Sequence, residues 1–293
     1  MPETEKCKTP LLSIITINYN NADGLQKTIE SVMSQKLDDY SEIEYIIVDG
    51  GSKDASVEVI QNGIKDSRIF VDWKSEPDKG IYNAMNKGIK KVHGNFLLFL
   101  NSGDYLFSDR VLSNVLNDLD FTKTNTIYYA DVMASYSDKS FYKEKHPDIL
   151  SFDYLCKTSL SHQATLFSSD LFSKNLYDES YKISSDWKYC IDAYLNGTNF
   201  IYYDAILSVY DMTGISSTNS NLLLSERNDI IKKTLPAGLV KDYERSFANP
   251  LNEWLYYGKC FYQNKSIYKF QLYIQKVIFK LLRVIKVLKR IDI

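Results

Sequence analysis

Residues 11–21 read Leu11-Leu12-Ser13-Ile14-Ile15-Thr16-Ile17-Asn18-Tyr19-Asn20-Asn21. Seven nearly continuous apolar and β-branched residues end abruptly in four polar ones. Such a run predicts a strand buried on both faces, the signature of a parallel sheet covered by helices. A helix is predicted next, with Leu25, Ile29, Val32 and Met33 on one stripe and Asn21 or Asp23 as its cap.

The pattern recurs along the chain. Ile43 to Val48 predicts a second strand, Asp54 to Ile60 starts a second helix, and Arg68 to Trp73 is a short third strand. Ile81, Met85, Ile89 and Val92 stripe a third helix before the strand Phe96 to Leu100. Alternating strands and helices imply right-handed crossovers and a mostly parallel α/β sheet. Beyond Asp104 the periodicity weakens. Val111 to Leu116 reads as helix, Thr126 to Ala130 as strand, and 151–215 as a mixture of short elements. Pro236 and Gly238 mark a boundary before a Tyr-rich helical region.

Ligands of such sheets bind beyond the carboxyl ends of the strands. Those ends are polar here: Asn18-Tyr19-Asn20-Asn21, Asp49-Gly50-Gly51-Ser52-Lys53-Asp54 and Asn101-Ser102-Gly103-Asp104. Turn chemistry alone uses the same residue types. No G-x-G-x-x-G follows a strand and no G-x-x-x-x-G-K-[ST] occurs, which removes the main support for dinucleotide and P-loop readings. Oxygen side chains at the ligand edge suit Mg²⁺ or Mn²⁺ shared with a phosphate.

Composition sets outer limits. The 293 residues are 44% hydrophobic and 25% charged, as in ordinary globular proteins. A formal charge of −2 does not suggest nucleic acid as a partner. The charge is unevenly spread: residues 265–293 carry a net +7, leaving −9 on the rest. From Ile274 to Leu288 the apolar residues fall on one helical face, with Lys276, Lys280, Arg283, Lys286 and Lys289 largely elsewhere. That is the layout of an interfacial amphipathic helix, and equally of a helix packing on its own domain or on a second subunit. Cys7, Cys156, Cys190 and Cys260 form no metal or redox motif, and no stretch has the length of a signal peptide or a membrane span. The expected location is cytoplasmic, peripheral at the membrane face.

Four ordered segments together resemble family 2 glycosyltransferases with a GT-A fold. They are Thr16 to Asn20, Ile47 to Asp54, Glu76-Pro77-Asp78-Lys79-Gly80-Ile81-Tyr82-Asn83-Ala84-Met85-Asn86-Lys87-Gly88, and Leu100 to Asp104. The resemblance continues through Ser161-His162-Gln163-Ala164-Thr165 and Ser185-Asp186-Trp187 to Gly214-Ile215-Ser216. It implies a GT-A domain over 1–217, with a Rossmann-like nucleotide-sugar half at 10–104 and an acceptor half at 105–217. A helical extension over 218–293 carries the basic tail.

The implied activity is inverting transfer of a sugar from a nucleotide diphosphate sugar, a UDP-sugar before a GDP-sugar, to a glycan or lipid-linked hydroxyl in surface polysaccharide synthesis. By the same resemblance Asn18, Tyr19, Asp49, Asp78, Asn83, Ser102 and Gly103 bind the donor, and Asp104 holds Mn²⁺ or Mg²⁺. His162, Gln163, Gly214 and Ser216 line the diphosphate and acceptor, and Asp186 is the base. Asn83 stands where many relatives have Asp, and the metal motif keeps only the Asp104 carboxylate. Asp186 also fits its position locally, in the first turn of a helix starting at Ser184 or Ser185, where the helix dipole favours its ionised form. Any first-turn Asp fits that place too. His93 and His146 lack companions at ligand spacing and read as structural or exposed. The alternatives are a nucleotide-sugar-binding protein without catalysis and a nucleotidyltransferase.

Overall fold

A computed structural model describes residues 9–135, 140–212 and 219–247. Gly214, Ser216, Cys7, Cys260 and the tail 265–293 lie outside the described residues. The chain forms two compact units, Met1–Ile230 and Ile231–Ile293.

In the first unit, β1 (Leu12–Asn18) is buried at every position, as its apolar run predicts. It pairs in parallel with β2 (Ile43–Asp49), and β2 with β3 (Phe70–Ser75). On its other side β1 pairs in parallel with β4 (Phe96–Phe99). The intervening helices are α1 (Ala22–Met33), α2 (Ser56–Gly63) and α3 (Ile81–Ile89). Asn21 caps α1 by accepting from Gly24 N at 3.2 Å, and Leu25, Ile29 and Val32 face the core. These four strands match the parallel expectation, with boundaries within about two residues.

The second half of this unit adds β5 (Tyr105–Leu106), α4 (Val111–Asp118), β6 (Thr126–Ser135), β7 (Phe141–Glu144) and α5 (Phe152–Lys157). Then follow β8 (Thr165–Ser168), α6 (Ser185–Leu195), β9 (Asn199–Asp211) and the start of α7 (Ser220–Thr234). One sheet joins everything, in the order β3-β2-β1-β4-β8-β6-β9-β5, with β7 on β6. Strand polarity changes at β8, which is antiparallel to both β4 and β6, while β6 and β9 are parallel. The sheet is therefore mixed: parallel in the half built from repeating strand-helix units, and in the other half antiparallel at β8, β7 and β5 with one long parallel pair, β6 and β9. In the second unit α8 (Ala237–Phe247) begins directly after Pro236. Among the described residues no helix is long and apolar enough to cross a membrane.

Candidate active site

Register decides the first cluster. Asn18 pairs with Asp49 across β1 and β2, and Asp49 with Ser75 across β2 and β3, so one row of polar side chains crosses three strand ends. Asp49 is fully buried and accepts from Asn18 Nδ2 at 2.7 Å, Ser52 Oγ at 2.5 Å, Ser52 N at 2.9 Å and Ser75 Oγ at 2.6 Å. Burial pushes its carboxyl up, but the hydrogen bonds from Ser52, Ser75 and Asn18 outweigh that and hold it below the ordinary range. Asn18 Oδ1, also buried, keeps an unfilled acceptor position.

Tyr19 follows with 64% of its surface exposed, a flat ring just beyond the end of β1. Gly50 lies between it and Asp78: a Cβ there would come 2.4 Å from Asp78 Oδ2 and 3.2 Å from the Tyr19 ring. The structure thus brings Asn18, Tyr19, Asp49 and Asp78 to one corner. Asn83 is engaged differently. Its Oδ1 accepts from Lys79 N at 3.2 Å and its Nδ2 donates to Glu179 at 2.9 Å, tying α3 to the 177–179 segment.

The second cluster lies at the end of β4. Thr28 of α1 accepts from Gly103 N at 3.0 Å and donates to the Asp104 carbonyl at 2.7 Å, while Asn21 Nδ2 donates to the Ser102 carbonyl at 3.1 Å. Gly103 takes φ +107°, a left-handed region that excludes most side chains, and Asp104 turns inward behind it. Burial raises the Asp104 carboxyl to about 6, against the lowering influence of His162. Its Oδ1 accepts from Asp211 N at 3.1 Å, which brings a second, exposed carboxylate to the same rim. Among the described residues no three His, Cys, Asp or Glu side chains converge on one point. A buried carboxylate, a neighbouring acid and an open edge fit a divalent cation that takes its other oxygens from a diphosphate.

The third cluster links both halves. Asp186 stands in the first turn of α6, behind Ser184, with one fifth of its side chain exposed. Oδ1 accepts from Tyr82 Oη at 2.7 Å and Trp187 N at 2.9 Å; Oδ2 faces His162 Nδ1 at 3.5 Å. His162 Nε2 meets Asn101 Nδ2 at 2.9 Å, so an unbroken chain runs from Asp186 to the Asp104 loop. Burial pushes the Asp186 carboxyl up, and His162, Tyr82 and the Trp187 amide more than reverse it, leaving it low. Conversely, burial would lower the His162 pKa, and Asp186 and Asp104 raise it instead. Gln163 is buried in the 3₁₀ turn His162–Ala164.

Tyr82, Asn101 and Asp211 are the participants that residue patterns did not single out. Tyr82 sits inside the 76–88 segment, next to the apolar stripe of α3, and its ring packs on Tyr177 at 5.5 Å. Tyr177 belongs in turn to an aromatic cluster with Phe172 and Tyr189, whose rings stack at 4.5 Å. The remaining histidines lie elsewhere: His93 is exposed and bonds Glu44 at 2.9 Å, while His146 is buried and pushed down to about 4 by desolvation.

Removing only the phenol hydroxyl tests the link between the halves. Tyr82→Phe is expected to lower kcat on the order of 10-fold, about 1.4 kcal/mol, with donor affinity unchanged. Steady-state kinetics beside nucleotide titration would check it.

Comparison with known proteins agrees with this geometry. The model of Glycosyl transferase family 2 matches residues 13–180. An uncharacterized glycosyltransferase of Mycobacterium tuberculosis is 32% identical over 209 residues, 71% of this chain and 78% of that one. A UDP-Glc:α-D-GlcNAc-diphosphoundecaprenol β-1,3-glucosyltransferase of Escherichia coli is 37% identical over 135 residues, 46% of this chain and 47% of that one. Among solved structures, a mannosyltransferase of Pyrobaculum calidifontis in complex with GDP-Man and Mn²⁺ superposes with a TM-score of 0.62 at 13% identity. It covers 94% of this chain and 81% of that one, and shows the shared fold. With the family's motifs gathered along one edge of a GT-A sheet, this chain belongs to glycosyl transferase family 2 and is a glycosyltransferase.

Proposed function

We propose that this enzyme moves a sugar, with inversion, from a UDP-sugar to a hydroxyl of a glycan or lipid-linked acceptor in surface polysaccharide synthesis. The observation that carries the reading is the Asp186 carboxylate, kept ionised yet partly exposed, and joined through His162 and Asn101 to the Asp104 loop. Inverting transfer needs such a base facing the acceptor, with the leaving diphosphate held on the far side.

In this reading the uracil lies against Tyr19, with Asn18 Oδ1 as the acceptor for its imide N–H and Asp49 fixing the Asn18 amide. Asp78 closes the pocket, and Ser102 and Gly103 border the diphosphate. Asp104, with Asp211 beside it, would hold Mn²⁺ or Mg²⁺. Such an ion stabilises negative charge on a departing diphosphate. Asp186 takes the acceptor proton, while Tyr82 and His162 hold the carboxylate in place. The donor and lipid-linked acceptor named for the E. coli relative support the substrate classes. The basic amphipathic pattern of 265–293 supports peripheral attachment to the anionic cytoplasmic leaflet, where each Lys or Arg near the surface is worth about 1 kcal/mol.

Thermal melts with UDP, GDP, CDP and dTDP, each with Mn²⁺ or with EDTA, test the donor site. A nucleotide at 100 times its dissociation constant adds about 2.7 kcal/mol, or roughly 5 to 10 °C for a domain near this size. UDP is expected to give the largest shift, and only with metal. A shift from CDP alone, or none from any nucleotide, would remove the assignment.

A further inference from the structure

Helix α7 follows the last motif of the resemblance, yet its residues Glu226 to Asp229 grip the segments that carry Asp186 and His162. Glu226 is buried, and its carboxylate accepts from the backbone amides of Lys182 at 2.7 Å and Ile183 at 3.1 Å. Those amides immediately precede Ser184, where α6 and Asp186 begin. Arg227 sits 4.8 Å from the ring centre of Trp187, the residue after Asp186, and its guanidinium donates to Ser159 Oγ, three residues before His162. Asp229 accepts from Tyr181 Oη at 2.7 Å.

A buried carboxylate is costly unless charge-assisted bonds satisfy it, and this one is placed on backbone donors. Backbone donors fix the path of the chain and not just a side chain. Arg227 reaches the two segments at once, lying over the ring of one and hydrogen-bonding the other. From this juxtaposition we infer that α7 is part of the catalytic apparatus, with Glu226 and Arg227 as positioning residues that set the separation of Asp186 and His162. The inference rests on the proposed role of Asp186 as base.

A double-mutant cycle on the full-length enzyme tests it. The readout is release of nucleoside diphosphate from whichever of UDP-glucose, UDP-galactose, UDP-GlcNAc or GDP-mannose turns over fastest, with water or a GlcNAc-diphospholipid as acceptor. Glu226→Gln puts an amide N–H₂ against two backbone N–H groups, and is expected to lower kcat about 10- to 100-fold with the dissociation constant for the nucleoside diphosphate within twofold of wild type. In the Asp186→Asn background the same change is expected to cost less than about threefold, because the group it positions is already gone.

An equal loss in both backgrounds, or weakened nucleotide binding that accounts for the whole effect, would overturn the inference. So would wild-type turnover in Glu226→Gln. If Glu226→Gln does not fold, Arg227→Lys, which keeps the charge and loses the guanidinium over the Trp187 ring, decides through the same cycle. Full activity in Asp186→Asn alone would instead overturn the base assignment, so the two failures are distinguishable.

Discussion

Asp186→Asn is expected to lower kcat on the order of 10³-fold, within the range a positioned general base supplies, while leaving nucleotide affinity within twofold of wild type. The amide keeps the shape of the carboxylate, and its oxygen can still accept from Tyr82 and the Trp187 amide. What disappears is the basic oxygen at Oδ2, next to His162. Because the carboxyl is held below the ordinary range, the wild-type enzyme should show no acid limb from this group between pH 5 and 8. Retention of more than a tenth of wild-type kcat, measured from pH 5 to 8, would move the base elsewhere.

Asp104→Asn is expected to have two effects of opposite sign. The metal-dependent part of the nucleotide thermal shift should vanish, and turnover with it. The ligand-free variant, however, should melt higher than wild type near pH 8. Burial raises the Asp104 carboxyl from 3.8 to about 6, so folding favours its protonated form. At this group the native state then binds more protons than the unfolded chain between those values, and its contribution to stability falls as pH rises from about 4 to about 6. Above that window the penalty is at most on the order of 3 kcal/mol, several degrees in Tm, and Asn removes it. Below pH 4 the two proteins should melt alike. Equal melting at pH 8 would show that the carboxylate is better compensated than its surroundings indicate, and a retained metal dependence would exclude Asp104 as a ligand.

The first half of the fold was legible because each element announces itself locally. The run from Leu11 to Ile17 admits few readings other than a doubly buried strand, and the Leu25, Ile29, Val32 stripe follows at once. The second half is harder for a physical reason. β8 is only four residues long, and β9, thirteen residues, is mostly half-buried, so neither carries a clear period. β6 reads as a strand up to Ala130 but continues to Ser135, past register shifts on both sides of Asp131.

The site divides in the same way. Asn18, Asp49 and Asp104 stand out as strand ends, whereas Ser75 joins Asp49 only through register. Asp211 meets Asp104 across 107 positions. Tyr82 is hidden because its hydroxyl serves a residue 104 positions away while its ring serves the core. Asn83, which stands where many relatives have Asp, uses both ends of its amide to bridge Lys79 and Glu179.

One property follows from the way β8 inserts between β4 and β6. The two halves of the first unit share a sheet edge to edge, and no linker separates them. They are therefore not cassettes that recombination can shuffle. A first half grafted from a relative must match the Phe96 to Leu98 register against Ser168 to Leu166 and also deliver a phenol to the neighbouring half. Insertions are thus expected to be tolerated best in surface loops, which lie off the shared ladder.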